Sequence, residues 1–360
     1  MAPDKKPDLM SSGAGLATVV AVETHGELGE IDRVKARGYW EQVWLRFKQD
    51  KVAIVGGVFI ILLFLIAFIG APVAQRILGH GPNEIYAGGL DADSQLPVGP
   101  FTRITTEPYP GAVAANGKPF KDTYFVLGAD SQLGRDMFLR LLYGAQTSLE
   151  VAVLATILSV FIGLVMGLMA GYYRGWVDTI VSRLTEIVMA FPALLFIIAV
   201  AATVGERLNT ITFGGLIQPG VFTLVLIFGI FGWFYPARII RSQILSLREK
   251  EFVEAARMTG ATDFRIMRSH LLPHLVAPLI VYSTLIVASN VIGEAGLSFL
   301  GLGIQAPTAS WGTLLSEGPN YYLSQPWLMV WPGLAILFTT LAFNLLGDGL
   351  RDAFDPRHAR

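Results

Sequence analysis

The chain has 360 residues, of which 53% are hydrophobic and only 15% are charged, and its formal net charge is −1. Its mean hydropathy of +0.53 exceeds that of a soluble globular domain, so the composition favours a membrane protein. The near-neutral charge, without a basic tail, argues against a nucleic-acid-binding protein, and the absence of cysteine excludes disulfides and thiol chemistry.

The beginning of the chain is polar and then becomes amphipathic. Residues 1–32 are rich in Ala, Gly, Ser and charge and lack the apolar stretch of a signal peptide, so we expect a disordered tail. Residues 33–51 carry aromatic and apolar side chains at helical spacing, with Lys and Arg between them: Trp40, Val43, Trp44 and Phe47. This pattern predicts an amphipathic helix that lies in the membrane interface.

Six apolar stretches along the chain are long enough to cross a membrane, since about 20 apolar residues cover a hydrocarbon core of roughly 30 Å. They lie at 52–71, 148–170, 187–204, 221–236, 274–292 and 327–346. The stretch 52–71 forms the first span, 72–147 connects it to the second, and 148–347 forms a core of five helices. Phe191 and Pro192 predict a kink in the third span, because proline removes a backbone hydrogen bond.

Lysine and arginine are concentrated on one side of this topology. Seven of them lie between the fourth and fifth spans, whereas 293–326 has none. Because short basic loops stay in the cytoplasm, the distribution predicts that both termini, with the tails 1–32 and 348–360, are cytoplasmic. The long segment 72–147 is then extracytoplasmic.

The charged segment 238–273 interrupts the apolar stretches on the cytoplasmic side. Within it, four residues recur at i, i+3, i+4 and i+7 and predict one stripe of a helix: Phe252, Ala255, Ala256 and Thr259. Gly260 suits the end of this helix, and Thr262 can cap a second one. The second helix has a stripe of its own, formed by Phe264, Met267 and Leu271, and Pro273 opens the fifth span. Such a helix pair suits docking into a groove of a partner protein, or it is an ordinary cytoplasmic loop.

Glu254-Ala255-Ala256, then Gly260 after three further residues, and later Leu272-Pro273 together resemble the EAA loop of ABC importer permeases. The segments 126–149, 171–192 and 296–315 are similar to those of dipeptide and oligopeptide permeases of the second-subunit, or C, type. The resemblance covers roughly residues 37–360. It implies an all-α integral membrane protein with six transmembrane helices and the MetI-like fold of type I ABC importers, in a bacterial or archaeal cytoplasmic membrane.

The resemblance also implies a mechanism and its partners. In this family the EAA loop carries a coupling helix that fits a cleft in a cytoplasmic ATPase, so the expected coupling residues are Phe252, Glu254, Ala255, Ala256, Gly260, Leu272 and Pro273. The implied partners are a sister permease in a heterodimer, two ATP-binding cassette subunits that use ATP and Mg, an extracytoplasmic peptide-binding protein and the lipid bilayer. The solute is expected to be a dipeptide or oligopeptide, with nickel or another small solute as the alternative.

Other function classes fit the sequence less well. A stand-alone secondary transporter needs ionisable residues at membrane depth, and Glu150 and Glu186 lie only at span ends. An intramembrane enzyme needs a catalytic constellation, which the spans lack. The nearest match to a P-loop, at 111–119, has five residues between its glycines and a proline where the hydroxyl belongs. We therefore expect a non-catalytic chain that binds no cofactor of its own.

A few polar residues near the span ends are further candidates. Arg135 and Asp136 either brace the outer end of the second span or a neighbouring subunit, or they form a local ion pair and helix cap. Glu294, just beyond the fifth span, either meets the substrate or an external gate, or is a solvated loop carboxylate. His270 and His274 have the spacing of metal ligands on a helix. Because a proline lies between them, we expect an ordinary interfacial face and no metal.

Overall fold

The computed structural model describes residues 38–107, 109, 122–131, 133–208, 211–215 and 217–355. The predicted tail 1–32 lies outside these residues. Contacts divide the chain into two units, 1–39 and 40–360. Only Gly38 and Tyr39 of the first unit are described, so the architecture below is that of the second.

The first membrane helix is longer than its apolar core predicts. Helix α1 (Tyr39–Phe47) is followed by α2 (Lys51–Leu65), whose first turn is capped by the side chain of Asp50. The chain then continues through a π-helical turn, Ile66–Gly70, into α3 (Ala71–Leu78). The helix continues past the predicted end of the span at residue 71 and stops at Gly79, which adopts the left-handed conformation with φ +76°.

The segment between the first two spans contains short strands that the all-α prediction missed. Strand β1 (Thr102–Thr105) pairs antiparallel with β2 (Asp122–Phe125), and β3 (Ala129–Asp130) pairs with β4 (Arg135–Asp136). A small apolar core lies beneath them, formed by Tyr86, Ile104, Phe125 and Ala129. Strands of two to four residues are too short for an alternating pattern to identify in sequence.

Helix α4 (Met137–Tyr173) is the central helix of the bundle and starts well before the predicted residue 148. Asp136 caps it by accepting hydrogen bonds from the backbone N–H groups of Phe138 and Leu139. Its 37 residues span about 55 Å. Its two ends therefore define the two ends of the molecule, which we call the strand end, near Met137, and the α9 end, near Tyr173.

The predicted third span is broken at Phe191 and Pro192. Helices α5 (Gly175–Ala190) and α6 (Ala193–Leu208) meet there at an angle of 86°, which confirms the kink. Helix α6 lies beside α7 (Val221–Gly232), with the rings of Phe196 and Phe231 4.7 Å apart. The span predicted at 187–204 therefore corresponds to α6 and only the last turn of α5.

The remaining helices complete the bundle and a charged connection at the α9 end. They are α8 (Phe234–Leu247), α9 (Glu251–Met258), α10 (Asp263–Arg265), a π-helical turn Ile266–Leu271, α11 (Leu272–Phe299), α12 (Trp311–Glu317) and α13 (Trp327–Phe354). Among the described residues, five helices are long and apolar enough to cross a membrane, or six if the bent pair α5–α6 is one span.

In the second half of the chain the helices again extend beyond the predicted spans. Helical structure continues from Val221 to Leu247 and from Asp263 to Phe299, and α13 includes residues that were predicted as the tail 348–360. The charged loop predicted at 238–273 is consequently reduced to the stretch around α9. Hydropathy marks the apolar centre of each helix, whereas caps and turns fix where the helix ends.

Candidate functional site

Helix α9, which carries the Glu-Ala-Ala motif, lies against the ends of three longer helices. Its residues Val253 and Ala256 are buried. They belong to one apolar cluster with residues of α4, α8, the π-helical turn and the start of α11: Tyr172, Ile240, Ile244, Ile266, Met267, Leu271 and Leu275. A displacement of α9 would thus act directly on three helices of the bundle.

The opposite side of α9 is exposed. Glu254 and Ala255 face outward, Phe252 is 37% exposed and Met258 is 81% exposed. The predicted stripe is therefore divided, because Ala256 faces the bundle while Phe252, Ala255 and Thr259 do not. Val253 and Ala256 form the buried face of α9 instead of the predicted stripe. A helix of eight residues is too short for its sequence pattern to show which side packs against the protein.

The backbone of the turn after α9 has the predicted conformation, whereas only some of its side chains lie where we expected. Gly260 adopts a left-handed conformation with φ +80°, and the Thr262 side chain accepts a hydrogen bond from the backbone N–H of Arg265. Met267 and Leu271 are buried as expected. Phe264, however, is 69% exposed and forms no common stripe with them, since Ile266 takes the inward position. Leu272 packs partly against the cluster behind α9, and Pro273 is exposed in the first turn of α11.

Polar and aromatic contacts tie this region to the end of α4. The Tyr172 hydroxyl donates to Asp263 Oδ1 at 2.6 Å. The Arg257 guanidinium lies 5.5 Å from the centre of the Tyr172 ring, within cation–π range. The ring of His274 lies tilted beside that of Phe252, with ring centres 5.2 Å apart. No group of three potential metal ligands occurs in the part of the chain that the structure describes.

At the strand end, Arg135 belongs to a buried cluster of charges. Its side chain hydrogen-bonds Asp130 at 3.0 Å and Glu317 of α12 at 3.1 Å. Arg140 of α4 forms an ion pair with the same Asp130 and donates to the carbonyl of Pro307 at 3.3 Å. Arg135 and Arg140 are almost fully buried. Two cations and two anions thus join the strands, α4 and the α11–α13 connection, so the ion pair of Arg135 lies within the chain.

Asp136 combines its cap with a second buried contact. Its Oδ2 lies 2.9 Å from His80 Nε2, and the other ring nitrogen of His80 faces the carbonyl of Leu78 at 3.2 Å. Burial lowers the pKa of His80, but the hydrogen bond and charge of Asp136, the Leu78 carbonyl and the charge of Glu84 outweigh it, so the pKa is raised above 6.5. His80 therefore ties the end of α3 to the first turn of α4 best when it is protonated.

The prediction that Glu294 lies in a loop beyond the fifth span is wrong. Glu294 is inside α11 and fully buried, and it accepts hydrogen bonds at 2.7 Å from the hydroxyls of Ser148 and Ser298. The two serines in turn accept the backbone N–H groups of Trp311 and Ile304. The carboxylate is therefore neither solvated nor exposed, and through the two serines it links α4 and α11 to the backbone at Ile304, in the loop before α12, and at Trp311, the first residue of α12.

Comparisons with known proteins place the sequence among transport permeases. Residues 163–360 match the family "Binding-protein-dependent transport system inner membrane component", and residues 38–93 match "N-terminal TM domain of oligopeptide transport permease C". The dipeptide transport system permease protein DppC of Alkalihalophilus pseudofirmus is 36% identical over 91% of this chain and 92% of its own length.

Further similar proteins include another permease and a transporter of known structure. The glutathione transport system permease protein GsiD of Escherichia coli is 36% identical over 90% of this chain and 92% of its own length. A chain of the inward-facing MetNI methionine ABC transporter aligns with a TM-score of 0.48 and 20% identity over 61% of this chain and 98% of that chain. From the family match and the two permease relatives, we conclude that this chain belongs to the family of inner-membrane permease components of binding-protein-dependent ABC importers.

Proposed function

We propose that this chain forms the membrane pathway of an ATP-driven importer for dipeptides or similarly small peptides. Its relatives of equal identity are a dipeptide permease and a glutathione permease, and a dipeptide and glutathione are both short peptides. The observation that carries the proposal is α9, an exposed helix whose inner face packs on α4, α8 and α11. Such a helix can pass a force from a partner to the bundle.

The energy would come from separate subunits. Two ATP-binding cassette subunits would bind ATP and Mg and move the exposed surface of α9 and its flanks, namely Phe252, Glu254, Ala255 and Gly260. This surface would be supported by the buried Ala256 on the inner side of α9 and by two residues at the start of α11, Leu272 and Pro273. The motion would rock the bundle between outward and inward openings, with a sister permease completing the pathway and this chain catalysing no reaction itself.

The proposed topology follows from the distribution of charge. Six spans, with α5–α6 as the bent third, would place α9 and both termini in the cytoplasm of a bacterial or archaeal cell. The arrangement would be the MetI-like fold of type I importers, with α1 in the membrane interface. The strand end would then face outward, where a peptide-binding protein delivers the solute.

The outer end of the pathway would be supported by three buried residues of this chain: Arg135, Asp136 and Glu294. All three are buried and engaged in contacts within it. We therefore assign them to the support of the α11–α13 connection and of the first turn of α4. An external gate formed by that connection would depend on them even without direct contact to the solute.

The test of the coupling role is the replacement of exposed residues of α9. Glu254→Ala and Ala255→Arg change the outer face and leave Val253 and Ala256 in place. We expect the ATPase subunits to copurify in smaller amounts and ATP-driven uptake of a labelled dipeptide to fall at least tenfold. Asp93→Ala removes an exposed acid at the strand end and serves as the matched control. Normal copurification together with normal uptake in both α9 variants would reject the coupling role.

A further inference from the structure

Both flanks of α9 contact one residue at the end of α4. Before α9, the Arg248 guanidinium donates a hydrogen bond to the backbone carbonyl of Tyr172. After α9, Asp263 accepts a hydrogen bond from the Tyr172 hydroxyl at 2.6 Å. Arg257 of α9 itself lies over the ring of Tyr172, with its guanidinium 5.5 Å from the ring centre. The segment that carries α9 is therefore attached to Tyr172 at three points.

Tyr172 is itself held firmly between α4 and α8. It is only 4% exposed and belongs to the same apolar cluster as Ile244 of α8. The preceding residue, Gly171, packs so closely on α8 that an added Cβ atom would lie 2.8 Å from the Cβ atom of Ile244. Close-packed interiors transmit displacements because they contain little free volume. A displacement of Tyr172 would therefore move the adjoining ends of α4 and α8 together.

The hydroxyl of Tyr172 restrains α9 in a way that the apolar cluster does not. Burial of apolar surface is non-directional, so it holds α9 against the bundle without fixing its exact position. A hydroxyl that donates to a carboxylate forms a short, strong and directional bond. The bond between Tyr172 and Asp263 therefore sets the distance between α4 and the first residue of α10, just after the turn that follows α9.

We propose that Tyr172 is a positioning residue that couples a displacement of α9 to α4, with the bond between its hydroxyl and Asp263 as the coupling contact. The inference rests on the proposed function, in which partner subunits move the exposed face of α9. Loss of the bond leaves that face, with Glu254 and Ala255, unchanged. The partner subunits would still bind and hydrolyse ATP, but less of their motion would reach the bundle.

The experiment compares ATP hydrolysis with solute import by the complete complex, purified with its partner subunits and reconstituted into lipid vesicles. Tyr172→Phe removes the hydroxyl, and it keeps both the ring beneath Arg257 and the carbonyl that Arg248 contacts. We expect the ATP hydrolysed per labelled dipeptide imported to rise about fivefold, a factor that one hydrogen bond can supply. The ATPase subunits should copurify in parental amounts.

Tyr173→Phe is the matched control, because it removes the same group from the neighbouring tyrosine, which is 47% exposed. It should leave the ratio of hydrolysis to import unchanged. Asp263→Ala removes the acceptor of the bond and should raise the ratio as Tyr172→Phe does. A protein with both Tyr172→Phe and Asp263→Ala should have the ratio of either single variant, since all three lack the same bond.

Three outcomes would contradict the proposal, and they differ in what else they reject. A parental ratio in Tyr172→Phe, with normal import by the parent complex, would overturn the role of Tyr172 alone. A proportional fall of hydrolysis and import together with a lower melting temperature would also overturn it, since the hydroxyl would then only stabilise the fold. A parent complex that imports no dipeptide would reject the proposed function, and the role of Tyr172 with it.

Discussion

At the scale of single residues, Glu294 connects parts of the chain that are far apart in sequence. It accepts hydrogen bonds from two serine hydroxyls, one of α4 and one of its own helix, and each serine accepts a backbone N–H, one from the loop before α12 and one from the first residue of α12. A buried carboxylate is costly unless its oxygens receive donors. Here two serine hydroxyls donate to the carboxylate and each serine accepts one backbone N–H, so the loss of Glu294 affects both serines.

We expect Glu294→Ala to destabilise the protein by about 2–4 kcal/mol, because two buried hydroxyls lose their acceptor. Glu294→Gln retains one acceptor oxygen and should cost less. The unfolding free energy of the purified complex, followed by thermal or denaturant melting, checks this order. Glu186→Ala removes an acid whose side chain is 62% exposed and is the control. Equal stability of Glu294→Ala and this control would show that the serine network carries little energy.

His80 gives the strand end a pH dependence whose sign can be stated. Its pKa is raised above 6.5 by Asp136, the Leu78 carbonyl and Glu84, although burial opposes the shift. A base with a raised folded-state pKa stabilises the fold fully below its unfolded value, and this contribution is lost as the pH rises through the folded value. The melting temperature should thus decline above about pH 6.5.

The variant His80→Gln retains a donor for Asp136 but does not titrate. Its melting curve should therefore lack the part of the decline that His80 causes, while the two proteins converge at high pH. Thermal melting of the purified complex between about pH 5.5 and pH 9 makes the comparison. A decline of the same size in both proteins would assign the pH dependence to other groups.

At the scale of helices, the contact between α4 and α8 depends on glycine. A Cβ atom on Gly167 would lie 2.5 Å from the carbonyl oxygen of Ala237, closer than real contacts allow. Gly167→Ala should therefore cost about 1–3 kcal/mol of unfolding free energy through overpacking. Gly296 of α11 has nothing within 4 Å of the same position. Gly296→Ala should thus stabilise by up to about 1 kcal/mol through helix propensity, and melting of the two variants side by side tests both signs.

Whether the sequence predicts a feature of these elements depends on how far apart along the chain the contacting residues lie. Local signals were sufficient for the stop at Gly260, the cap at Thr262 and the break at Pro192, since each acts within a few residues. The burial of Glu294 could not be predicted because Ser148 lies 146 residues away along the chain. The 86° angle between α5 and α6 was equally hidden, because a proline predicts a break without fixing its angle.

At the scale of the whole molecule, the two ends of the bundle differ in chemistry. The strand end is held by buried ion pairs and by the serine network of Glu294, which fix the α11–α13 connection against α4. The α9 end presents an exposed helix on an apolar cluster, with basic residues around it. Under the proposed topology the strand end would face outward and α9 would face the cytoplasm, where separate ATPase subunits could move it.

The orientation of these two ends is testable because the chain contains no cysteine. Met258 beside α9 is 81% exposed, and Leu323 in the connection between α12 and α13 is 84% exposed, so a cysteine at either position can react without disturbing the core. In intact cells, a membrane-impermeant maleimide should label Leu323→Cys and leave Met258→Cys unlabelled, whereas both should react after the membrane is opened. Labelling of Met258→Cys from outside would show that the topology is the opposite one, so that α9 could not contact a cytoplasmic ATPase.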